Sequence, residues 1–174
     1  MKTNDEQATG AEAPVDKDVS HRRIAADKLK LHGVRLLSAA GMSHDDANMV
    51  SEHVVGNSLM GVDSHGVVRF SQYMSFIESG AINPSSTPLV VIDDPAMTRI
   101  DGGGGHGVPA MVQLAEYTAQ KARSAGMATG TLVNCGHTGR IGAYAEMSAP
   151  KGCFAGIIGG GGPNRGKPEV APTG

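Results

Sequence analysis

A chain of 174 residues is long enough for one domain with a real hydrophobic core, so neither disulfides nor a metal is needed to hold it together. The formal charge of -2, with both signs mixed along the chain, argues against a nucleic-acid footprint and against a membrane-surface patch. No apolar run approaches membrane-spanning length, and the opening MKTNDEQATGAEAPVDKD is polar and acidic where a signal peptide is basic and then apolar.

Residues 1–19 read as a disordered tail. From Ser20 the spacing of Ile24, Leu29, Leu31, Val34 and Leu37 is helical, and Gly41 stands where a helix ends. Ser43 followed by Asp45 and Asp46 is a helix-start signature, and Ala47, Val50 and Val54 supply the apolar stripe of a second helix running toward Met60. A third helix is expected from Ser64-His65-Gly66 through Val67, Phe70, Met74 and Ile77, closed by Gly80 and the turn Ile82-Asn83-Pro84. At Pro88 the texture changes. Leu89 to Ile92, the turn Asp93-Asp94-Pro95 and Met97 to Ile100 read as a hairpin. The glycine run Gly102 to Gly105 reads as a flexible turn before a long helix, Val108 to Ala125, that ends at Gly126. Met127 to Val133 reads as a strand, Ile141 to Ala149 as a helix and Phe154 to Ile158 as a further strand.

A helical layer (20–87) followed by mixed strands and helices (88–174) makes an α+β (mixed α/β) fold, without the strict alternation of a doubly wound sheet. With three Phe, three Tyr and no Trp, its core is built from Ala, Val, Ile, Leu and Met. Cys135 and Cys153 have neither zinc-knuckle nor redox-pair spacing. They read as small buried hydrophobes, and so few thiols point to a reducing, cytoplasmic setting. The last residues, Ala171-Pro172-Thr173-Gly174, follow a glycine-rich loop with no closing element, so the region 88–174 is expected to be partial.

Two segments carry candidate chemistry. In Ser64-His65-Gly66-Val67-Val68-Arg69, the histidine and arginine are four apart and expected on one face of a helix. Reduction of a 2-oxo acid needs a proton for the carbonyl oxygen, which suits a histidine, and an anchor for the carboxylate, which suits the arginine fork. The bland alternative is a helix-capping histidine beside a solvated arginine. In Asn134 to Arg140, a loop leaves an apolar strand and enters a helix, and His137 is either catalytic there or a loop histidine satisfied by backbone. Gly102 to Gly107 lacks the Gly-Lys-Ser/Thr of a phosphate loop and matches the dinucleotide fingerprint poorly, whereas Gly159 to Gly162 directly follows an apolar strand and lets backbone approach a cofactor. Metal binding is the competing chemistry, with His65, His106 and His137 as ligands beside Asp63 or Asp101. No pair among them has helical His-x-x-x-His spacing, and no metal residue is assigned.

In order, Asp63 to Phe70, Gly80-Ala81-Ile82-Asn83-Pro84, Asp101-Gly102 and Asn134 to Gly142 with Tyr144 resemble the malate/L-lactate dehydrogenase family, from about Ser20 to the last residue. The resemblance implies a homodimeric NAD- or NADP-dependent enzyme acting on a small 2-oxo or 2-hydroxy acid. Its cofactor sheet is expected to be largely antiparallel and non-Rossmann. It implies that His65 or His137 gives and takes the proton, that Arg69 with Ser64 beside it anchors the substrate carboxylate, and that Gly160, Gly161, Gly162, Pro163 and Asn164 form part of the cofactor site. Family members continue past the residues matching Val170 to Gly174. The chain is therefore expected to represent the N-terminal half of such an enzyme, with an incomplete site, inactive and poorly stable alone. A non-catalytic remnant, half of a split enzyme and a histidine-based metal hydrolase are the alternatives.

Overall fold

The computed structural model describes residues 23–159. The tail expected over residues 1–19 and the cofactor loop expected at Gly160 to Asn164 both lie outside the described residues. Helix α1 (Ala26–Ala39) ends where Gly41 takes a positive φ of 97°. Helix α2 (His44–Leu59) starts at the expected cap: the Ser43 hydroxyl accepts the Asp46 N–H at 3.1 Å and donates to the Asp46 carboxylate at 2.8 Å, with Asp45 also in the first turn.

Of the anticipated stripe on α1, Val34 and Leu37 are buried, whereas Ile24 precedes the helix and is exposed, as is Leu31. Leu37 of α1 and Ala47, Val50 and Val54 of α2 are fully buried, and each large aliphatic side chain removed from water contributes roughly 1.5–3 kcal/mol. Helix α3 (Arg69–Glu78) adds Phe70 and Tyr73 to this core, and Val108 reaches it from the start of helix α4 (Gly107–Ala125).

Strands β1 (Leu89–Asp94) and β2 (Met97–Gly105) form the expected hairpin, antiparallel with Leu89 opposite Asp101. Helix α4 then crosses to β3 (Thr129–Cys135), which pairs parallel with β2, because a return in the same direction needs a crossover rather than a tight turn. The sheet has the order β1-β2-β3 among the described residues, with one pair antiparallel and one parallel, where the family resemblance implied a largely antiparallel cofactor sheet. Helix α5 (Gly142–Ser148) and a 3-10 turn (Ala149–Lys151) follow.

Three expectations are corrected. The glycine run is not a flexible turn: β2 extends through it, and the pairing with β3 resumes at Gly105 opposite Cys135 after an irregularity at Gly103 and Gly104, which have φ of 60° and 72°. A Cβ at Gly102 would lie 2.7 Å from the Cβ of Cys135, so bare backbone is what permits the two strands to approach. Phe154 to Ile158 forms no strand among the described residues. Its burial alternates, but Phe154 and Ile158 are wholly exposed and the segment enters no ladder of the described sheet. The third helix, finally, does not begin at Ser64. A separate 3-10 turn covers Asp63–His65, Gly66 is extended, and α3 starts only at Arg69.

Candidate functional site

Helix α2, the turn Asp63–His65, α3 and the loop from β3 to α5 converge on a cluster of rings. His65 and His137, 72 positions apart in the chain, stack with centroids 5.5 Å apart and planes 27° from parallel. The Tyr73 hydroxyl lies 3.0 Å from Nδ1 of His137, and the edge of the Tyr73 ring meets His106 at a centroid distance of 4.3 Å. His53 stacks on Tyr144 at 5.7 Å on the neighbouring flank.

Hydrogen bonds fix the state of His137. The Gly139 N–H can only donate, and it points at Nδ1 from 3.3 Å, so Nδ1 is an acceptor and the proton of the neutral ring sits on Nε2. Burial pushes the Tyr73 phenol up to about 12, which keeps its O–H intact as a second donor to the same nitrogen. Beside it, the Ser64 hydroxyl contacts Nδ1 of His65 at 3.0 Å, and the Nε of Arg69 donates to the Ser64 carbonyl at 2.5 Å. Nη1 of Arg69 donates to Gln72.

Sequence reasoning put His65 and Arg69 on one face of a helix, and the structure does not. Gly66 breaks the chain between them because a Cβ there would meet the Ser58 hydroxyl at 2.1 Å, and that hydroxyl is engaged by the Val67 N–H at 3.0 Å. The arginine approaches by folding back over Ser64, and Tyr73, one turn further along α3, feels its positive field.

Two histidines beside the pair are held neutral. Burial, then the neighbouring His137 and His53, lowers His106 to about 3; its Nδ1 accepts the Val108 N–H at 3.2 Å and so caps α4. Burial, then Arg140, lowers His53 to about 4, and its Nε2 accepts the Arg140 backbone N–H at 2.9 Å. The chain passes this close only because residue 139 is glycine at φ +70°: a Cβ would lie 2.2 Å from His53 Nε2. Arg140 itself forks onto the Glu146 carboxylate with two bonds of 2.8 Å, which holds that carboxyl below its usual range.

The structure thus brings together Ser64, His65, Arg69 and His137. Sequence reasoning missed Tyr73, His53, Asn57 and the role of Arg140, and it placed His106 only among metal ligands. A tyrosine four residues after Arg69 on an amphipathic helix was the one available signal for Tyr73. Among the described residues no group of three His, Cys, Asp or Glu is arranged to hold a metal ion, and no helix is long and apolar enough to cross a membrane.

The mixed α+β fold is that of a class of solved dehydrogenases. Malate dehydrogenase from Pyrococcus horikoshii OT3 superposes with a TM-score of 0.73 at 32% identity over 81% of this chain and 40% of that one. Sulfolactate dehydrogenase from Methanocaldococcus jannaschii gives 0.68 at 30% identity, over 70% of this chain and 36% of that one. The model of the malate/L-lactate dehydrogenase family matches residues 24–174, and the chain belongs to that family. A malate dehydrogenase of Pyrococcus abyssi is 32% identical over 157 residues, which are 90% of this chain and 42% of the relative. The chain therefore spans less than half the length of the curated relatives it matches.

Proposed function

We propose that the protein carrying this chain reduces a small 2-oxo acid to the 2-hydroxy acid, and reverses that reaction, with NAD or NADP as the hydride carrier. The carrying observation is the His65–His137 stack, with Arg69 folded over the turn that bears His65. The donor set suits such a cofactor: imidazoles, a phenol and a guanidinium move protons and hold a carboxylate, and none of them supplies two electrons. A bound nicotinamide supplies the hydride, and Gly160 to Asn164 are the residues proposed to hold it.

In this reading the Arg69 guanidinium pairs with the substrate carboxylate, and Ser64 orients His65 through Nδ1. His137, neutral with its proton on Nε2, polarises the 2-oxo oxygen as a hydrogen-bond donor, while His65 delivers the proton that turns that oxygen into a hydroxyl. The two rings thus divide the work of polarising the oxygen and delivering its proton. The balance is one hydride to C2 and one proton to oxygen. In the reverse direction His65 receives the proton.

Relatives named malate, L-sulfolactate and L-lactate dehydrogenases support a small hydroxy-acid substrate, and those names do not agree on which one. The reading includes a homodimer in the cytoplasm. Exposed Leu59, Met60 and Val68 offer apolar surface for pairing, and sedimentation velocity tests it. The deciding experiment is steady-state oxidation of NADH and NADPH by the purified protein with a panel of 2-oxo acids. Turnover with at least one is expected, and none with any of them would count against the reaction. Stoichiometric zinc or iron, lost together with activity on chelation, would instead favour a metal hydrolase.

A further inference from the structure

The side chain of Asn57 is buried, 1% exposed, and joins two segments of the candidate site. Its Nδ2 donates to the His65 carbonyl at 3.0 Å, across eight residues. Its Oδ1 accepts from Nε of Arg140 at 3.0 Å, across 83 residues. One turn earlier on α2, His53 takes the Arg140 backbone N–H, so two side chains four residues apart hold the same loop. That loop carries His137 three positions before Arg140, and the turn carries His65.

We infer that Asn57 is a positioning residue for the proposed reaction: its amide fixes the spacing of the His65 and His137 rings by clamping the turn that bears one to the loop that bears the other. This rests on the proposed roles of the two histidines. Both segments are short and neither ring belongs to an α-helix or strand; backbone bonds from Gly136 to Gly105 and from Gly107 to His137 hold the loop to β2 and α4, and the Asn57 side chain ties that loop to the turn. An amide suits the position because it sets a donor NH2 and an acceptor oxygen on a single rigid plane, matching a carbonyl on one side and a guanidinium on the other. Aspartate keeps the acceptor for Arg140 but turns an oxygen toward the His65 carbonyl. It therefore releases the turn while retaining the loop.

The test is Asn57→Asp in the whole protein, read by turnover and by the ring 15N resonances of His65 and His137 in the resting state. A fall in kcat of roughly tenfold to a hundredfold is expected, the loss typical of a reacting group displaced by about an ångström, with KM for the cofactor little changed and both ring signals moved. A second variant covers poor folding of the first. Arg140→Lys keeps a charge for Glu146 but removes the Nε donor to Asn57, and through Asn57 it should shift the His65 ring signals. Wild-type turnover with unmoved ring signals in Asn57→Asp overturns the inference, and so do unmoved His65 signals in Arg140→Lys. If the wild-type protein turns over no 2-oxo acid while the variants still move the rings, the clamp is supported and only the reaction assigned to it fails.

Discussion

At the residue scale, the proposed reaction depends on proton placement, so substitutions that keep shape and change donors are the informative ones. Tyr73→Phe removes the O–H aimed at Nδ1 of His137 and leaves that nitrogen to the longer Gly139 N–H bond. Turnover is expected to drop about tenfold and stability by about 1 kcal/mol, measured by steady-state kinetics and urea unfolding. Arg69→Lys retains the charge but loses the planar fork. It is expected to raise KM for the 2-oxo acid far more than it lowers kcat, and an unchanged KM would remove Arg69 from the carboxylate site. Gly139→Ala is expected to cost at least about 1–3 kcal/mol, because positive φ and the close approach to His53 Nε2 both oppose a side chain; thermal melting reads it.

At the element scale, α2 is the scaffold for everything around it. Its buried stripe locks it to α1, and its C-terminal half presents His53, Asn57 and Ser58 to the turn and the loop of the site. The start of that helix depends on one hydroxyl. Ser43→Ala is expected to destabilise the protein by about 1 kcal/mol without altering KM, since the cap lies four turns from the site-bearing end, and the urea midpoint is the readout. The crossover from β2 through α4 to β3 carries His106 at its first bend and His137 beyond its last strand, which is how a loop distant in sequence comes to lie beside Tyr73.

At the scale of the whole molecule, the neutral histidines tie stability to pH. His53 and His106 are held at about 4 and about 3 against an ordinary value of 6.5, so the unfolded chain takes up protons that the folded one refuses. Stability is therefore fully present above about pH 6.5 and falls as the pH drops toward those folded values. Melting temperatures measured from pH 7.5 to 4.5 are expected to hold level down to about pH 6.5 and to decline below it. His106→Asn preserves a side-chain acceptor for the Val108 N–H while removing a titrating ring, and it should flatten that decline; an equally steep curve would show that His106 is not a source of it.

What the sequence determined by itself was set by local chemistry. The buried stripe of α2, the Ser43 cap, the stop at Gly126 and the hairpin over β1 and β2 follow from period, capping and turn residues read within a few positions, and the types at 64, 65, 69 and 137 suggested the proposed reaction before any geometry did. The parallel return to β3, the strand hidden in the glycine run and the break at Gly66 were decided by tertiary structure, because each depends on a neighbour remote in sequence: Cys135 against Gly102, Ser58 against Gly66. Asn57 and His53 were invisible for the same reason, and Tyr73 was signalled only by its spacing from Arg69 on an amphipathic helix. A buried polar side chain gains its role from the partner it finds, and theirs lie 64, 83 and 87 residues away at His137 and Arg140.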